Sequence, residues 1–262
     1  PIKPEELRVF PSDENIPPDA LNAKIDQSFV PTGEPALPKS REEFASWKKT
    51  LIGKLRQVTF NHFPERIPAA TLVRTEGEQV WINTEENIQV RLRKLVDLEE
   101  QKTIVLVVAN EDIDRARMNF GDEKQDTMFV VEPRGIGATQ WTTKNPPNYV
   151  ERSHYLLGRT VDSGRVWDVI AAARYLKNKH PAASIKLAGE GRGGVIAVYA
   201  AILEGEISAV ILGQIPESLM EANAPALLNS LRVCDLPIAV GLLADREVQS
   251  PQLGKFFRLQ GK

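Results

Sequence analysis

Strands and helices alternating along roughly 110 residues predict an α/β fold: a mostly parallel sheet flanked by helices, with antiparallel strands at one edge. Three observations carry that expectation. "TIVLVVAN" (103–110) and "TMFVVEPRG" (127–135) are continuous apolar runs of the kind buried on both faces of a parallel sheet. Next come "RVWDVIAAARYLKNKH" (165–180), "SIKLAG" (184–189), "VIAVYAAILEG" (195–205) and "ISAVILG" (207–213), which read as helix, strand, helix and strand. Finally, "ATLVR", "QVWIN" and "IQVRLRKLV" between Ala70 and Val96 are separated by Glu-Gly and Glu-Glu-Asn turns, the pattern of hairpin-linked strands.

From the beginning of the chain, residues 1–39 carry eight prolines, and the opening "PIKPEELRVFPSDENIPPD" is rich in charge. Such a stretch reads as an extended linker leaving a preceding domain and laid on a surface, with Leu7, Val9, Phe10, Phe29 and Val30 as anchors. The folded domain is expected over residues 40–262. Ser40 and Glu43 have capping-box spacing. Phe44, Trp47, Leu51, Leu55 and Val58 then recur every three or four residues, giving a helix with one apolar stripe.

Composition narrows the function classes. The chain has 262 residues, 42% hydrophobic and 26% charged, with a net charge of −2 from 33 basic and 35 acidic residues. No field favours nucleic acid or an anionic membrane. No apolar run approaches the roughly 20 residues of a bilayer span. Cys234 is the only cysteine, so an internal disulfide and a thiolate zinc site are both ruled out. One cysteine and three scattered histidines (His62, His154 and His180) offer no metal-ligand spacing, and no cofactor is expected.

The chemistry concentrates in "LAGEGRGG" (187–194), where four glycines fall within six residues between a strand and a helix. Tight helix–sheet packing alone accounts for such glycines, with Ala197, Ala200 and Ala201 on the following helix. Two functional readings stand beside that one. Gly189, Gly191 and Gly194 match the Gly-x-Gly-x-x-Gly of dinucleotide-binding turns, but the next strand ends at Gln214 instead of a ribose-binding acid. The strand–turn–helix context also fits a nucleophile elbow, Gly-x-Ser-x-Gly, with Gly189 and Gly193 in place and Gly191 where the serine belongs.

Over about residues 100–248 the chain resembles α/β-hydrolases of the acetyl xylan esterase and dipeptidyl-peptidase-like group. The likeness rests on the Gly-rich elbow, on "LLGRTVDSGRVWDVIAAARYL" (156–176) before it and on "CDLPIAVGLLADREV" (234–248) after it. The opening "PEELRVFP" through "KIDQSFVP" resembles the linker that follows a complete esterase domain in two-domain members. The resemblance implies a C-terminal hydrolase-like domain beside a catalytic esterase domain, a carbohydrate partner and an extracytoplasmic setting. It also places Gly191 at the nucleophile, flanked by Glu190 and Arg192, with the amides near Asn110 and Arg192 as a vestigial oxyanion site.

The family order of Ser, acid and His is not met, because no histidine follows residue 180. The expectation is therefore a degenerate, non-catalytic domain. An active esterase with an atypical or partner-completed site and a nucleotide-binding domain remain as alternatives. Arg134 and Trp141 in "EPRGIGATQW" (132–141) and His154, in a loop before the 165–180 helix, are candidate ligand contacts; opposite charges at Glu190 and Arg192 would let them pair and plug the pocket.

Overall fold

A computed structural model describes residues 2–21, 25, 32–110, 120, 125–141 and 149–252. Eight strands form one sheet: β1 (Thr71–Glu76), β2 (Gln79–Glu85), β3 (Ile88–Val96), β4 (Thr103–Val108), β5 (Thr127–Glu132), β6 (Ser184–Gly189), β7 (Ile207–Leu212) and β8 (Glu247–Gln249). Their order is β1-β2-β3-β5-β4-β6-β7-β8. The pairs from β1 through β3 to β5 are antiparallel, and those from β5 through β8 are parallel. The expected architecture, with the 70–96 hairpins at one edge, is the one observed.

Alternation along the central strands explains why both faces are covered. Ile104, Leu106 and Val108 of β4 join Ile185 and Leu187 of β6 in one apolar cluster, while Val105 and Val107 join Met128, Val130 and Ala188 in another on the opposite face. The larger cluster is roofed by helices α1 (Arg41–Val58), α3 (Val161–Lys179), α4 (Gly191–Leu203) and α5 (Leu236–Gly241). Among them α4 is apolar on every side, and its residues from Gly193 to Ile202 are buried. Helix α2 (Tyr149–Leu156) has no buried residue.

Four expectations need correction. The Ser40 hydroxyl accepts from the Glu43 amide at 3.2 Å, but the Glu43 carboxylate accepts from the Lys39 amide at 2.7 Å, so the capping box is not reciprocal. Helix α3 starts four residues before Arg165, because Thr160 and Ser163 close a capping box of their own. Gly164 then falls in its first turn, where a Cβ would meet the Arg134 guanidinium at 2.7 Å. Helix α4 starts at Gly191, so the elbow glycines make its first turn. Lastly, Leu7, Val9 and Phe10 are exposed instead of anchoring the opening segment, whereas Gly33 docks through its amide on the Leu231 carbonyl at 2.6 Å. Phe29 and Val30 lie outside the described residues.

Candidate functional site

The strand-to-helix turn at Gly191 is built by close backbone approach. Glu190, in extended conformation, precedes α4, and Gly191 has φ +51°, a region that L side chains rarely adopt. Its amide donates to the Gln214 carbonyl at 2.7 Å. A Cβ on Gly189 would lie 2.9 Å from the Gly193 backbone, and one on Gly193 would lie 2.7 Å from the Val108 carbonyl. Strand β6, helix α4 and the end of β4 therefore nearly collide, which is the packing these glycines permit.

Asn110, the second residue after β4, holds the turn together. Its Nδ2 donates to the Glu190 carbonyl at 2.6 Å, and its Oδ1 accepts from the Gly193 amide at 2.5 Å. The carboxamide thus caps the first turn of α4 in the manner of an N-cap side chain supplied from another strand. A phosphate bound at this helix start would need those same amides. With Gly193 bonded to Asn110 and Gly191 bonded to Gln214, the nucleotide alternative loses two of its donors.

Two cavities flank the turn and share Asn110 and Asn223. One, of about 430 Å³, is walled by Val108, Pro133, Ile136 and Ile196 and carries Arg165 and Arg192. The other, of about 440 Å³, carries Glu190, Glu217 and Glu221 beside Gly191. The expected plug does not form: Glu190 faces the second cavity and Arg192 the first, and no ion pair joins them. Arg192 also lines a third cavity of about 200 Å³, with Glu151, Tyr155 and Asp162.

The other candidates disperse. Arg134 is 8% exposed, with Nε and Nη2 on Asp168 at 2.9 and 2.7 Å and Nη2 on Glu85 at 2.6 Å. Burial works against its charge, but Asp168 and Glu85 more than offset this and raise its pKa. It is a framework cation with little surface to offer a ligand. Trp141 stacks where a Cβ on Gly135 would go, 2.1 Å from its ring, as a packing tryptophan does. His154 belongs to helix α2, where a loop was expected, and its Nδ1 lies 2.8 Å from the Val150 carbonyl one turn earlier. None of the three lines the cavities at the turn.

Among the described residues, no histidine or cysteine lines the cavities beside Gly191. Burial pushes the Cys234 thiol up to about 12, so the thiolate that would attack is suppressed at neutral pH. Burial, and next the charge of Arg159, push His62 down to about 4; its Nε2 lies 3.3 Å from the Ser163 hydroxyl, which donates to the Thr160 carbonyl. That pair belongs to the start of α3, away from the elbow. Among the described residues no group of three His, Cys, Asp or Glu is placed to hold a metal ion.

His62 has a consequence for stability. Between pH 6.5 and about 4 the unfolded chain binds a proton at this imidazole that the folded chain refuses, so stability falls as pH drops through that window. Urea midpoints at pH 7 and pH 4.5 should fall further for the natural chain than for His62→Gln. Equal falls would show that His62 titrates normally.

No family model matches the chain, and no curated protein matches it in sequence. Solved structures do match in fold. A Bacteroides fragilis protein provisionally assigned as an acetyl xylan esterase superposes with a TM-score of 0.67 at 13% identity, covering 95% of this chain and 81% of its own. A glucuronoyl esterase from Solibacter usitatus gives 0.56 at 10% identity, covering 89% and 85%. Another from Caldicellulosiruptor kristjansonii gives 0.53 at 12%, covering 86% and 77%. The chain has the α/β-hydrolase fold these esterases share, and at such identities the likeness is one of fold. Among the described residues no helix is long and apolar enough to cross a membrane.

Proposed function

We propose that residues 40–262 are a non-catalytic α/β-hydrolase-like domain of a carbohydrate-esterase-type protein, joined by residues 1–39 to a catalytic esterase domain and retaining the old active-site region for binding. One observation carries this reading: at the strand–turn–helix point where the fold presents its nucleophile, Gly191 has the positive φ of a tight turn and no side chain. Fold neighbours described as acetyl xylan and glucuronoyl esterases support the carbohydrate setting. The amides after Gly191 support a vestigial oxyanion region, now shared with the Asn110 carboxamide.

The purified chain should hydrolyse p-nitrophenyl acetate, acetylated xylan and glucuronoyl methyl esters no faster than a heat-denatured control. Turnover abolished by a substitution within residues 40–262 would sink the reading and favour the active-esterase alternative.

A further inference from the structure

The two cavities beside the turn differ in sign, and that difference identifies a ligand class. Among the described residues, the lining of the 430 Å³ cavity has two guanidiniums, two carboxamides and apolar walls, and no carboxylate. Its neighbour has three glutamates and, among the described residues, no cation. Arg165 is 6% exposed and held rigidly, Nε donating to the Arg134 carbonyl at 3.0 Å and Nη1 to Asp162 Oδ1 at 2.8 Å. Its Nη2 has no hydrogen-bond partner among the described residues. The Arg192 guanidinium has neither a hydrogen bond nor an ion pair with a described residue. Arg192 also stands in the first turn of a 13-residue helix, at the positive end of its dipole.

We infer that the cavity under Arg192 binds a compact organic monocarboxylate, its anion between Arg192 and Arg165 and its apolar body against Val108, Pro133, Ile136 and Ile196. The charge balance selects one negative charge. Asp162 pairs with Arg165 across their 2.8 Å contact, so Arg192, which faces Glu151 and Asp162 only across the third cavity, is the guanidinium without an ion pair to a described residue. A phosphate dianion would exceed that charge and would lack the Gly193 amide, which Asn110 occupies. A neutral ligand would leave the guanidinium facing apolar walls unpaired, which costs more than pairing it. The acidic cavity next door repels the same anion and so directs it to one side of the turn. The inference rests on the reading of this region as an active site kept for binding.

Calorimetric titration of the full chain with cyclohexanecarboxylate and with cyclohexylmethanol tests it. The carboxylate should bind at least about tenfold tighter, ~1.4 kcal/mol. Arg192→Gln should lower its affinity to that of the alcohol, and Arg192→Lys should keep part of the preference, with circular dichroism showing both variants folded. Equal affinities, no binding of either probe at about 10 mM, or an unchanged Arg192→Gln would each overturn the inference. An unfolded Arg192→Gln would shift the decision to the probe pair on the natural chain. Ester turnover would refute the non-catalytic reading and leave the titration standing; silent titrations without turnover would refute this inference alone.

Discussion

Replacing Asp168 with alanine is expected to destabilise the fold by about 3–5 kcal/mol, because it removes the main partner of a buried cation and leaves several buried donors without an acceptor. Asp168 is fully buried on α3 and accepts four hydrogen bonds, from Thr84 Oγ1 at 2.5 Å and from Arg134 at its amide, Nε and Nη2 at 2.7–2.9 Å. The carboxylate therefore ties the helix to β2 and to the turn after β5. Without it, Arg134 keeps only Glu85, and the Thr84 hydroxyl and the Arg134 amide lose their acceptor. At roughly 2–4 °C per kcal/mol for a chain of this size, Tm should fall by about 6–20 °C. The surface pair Lys48–Asp245, at 2.6 Å with the aspartate side chain half exposed, provides the control. Asp245→Ala should cost no more than about 1 kcal/mol, since water already solvates the half-exposed aspartate. Equal losses for the two variants would mean that the buried network adds nothing to stability.

What the sequence could reveal follows from how each feature is encoded. The parallel strands were legible because burial on both faces writes a continuous apolar run, as in Val105 to Val108. Periodicity could not mark the start of α4: Gly191, Gly193 and Gly194 have no side chains to repeat, and it is the close approach of Val108 and Ile215 that leaves no room for a Cβ at Gly193 and Gly194. Helix α2 escaped for another reason, since a helix that buries nothing has no apolar stripe to show. At the site, a glycine at the spacing where the elbow pattern has serine was visible as a residue type. The Asn110 clamp and the facing of Arg165 were not, because they depend on Asn110 meeting Glu190 and Arg165 meeting Arg134 across 80 and 31 positions of sequence. Arg134 shows the converse: a cation at the carboxyl end of a strand resembled a ligand contact, but its carboxylate lay one helix away at Asp168.

Gly191→Ser should leave ester turnover at background while lowering stability by about 1–2 kcal/mol. The stability cost comes from two sources in the turn. A side chain at φ +51° is strained wherever it points, and its Cβ would sit 3.2 Å from Asn110 Nδ2, which is itself engaged with Glu190. The catalytic prediction rests on the missing imidazole. In a serine hydrolase the nucleophile and its histidine act as one unit, so removing either alone costs about as much as removing both, roughly 10⁶ in turnover. Here no histidine lines either cavity at the turn: His62 lies against Ser163, His154 has its Nδ1 on the Val150 carbonyl, and His180 caps the far end of α3. A hydroxyl introduced at position 191 thus has no imidazole to take its proton. The measurement is p-nitrophenyl acetate hydrolysis by natural and Gly191→Ser chains, alongside their melting curves. A rise of about 100-fold or more, lost again on adding His154→Ala, would mean that α2 moves to bring a base to the turn, and that this domain stands one substitution away from catalysis.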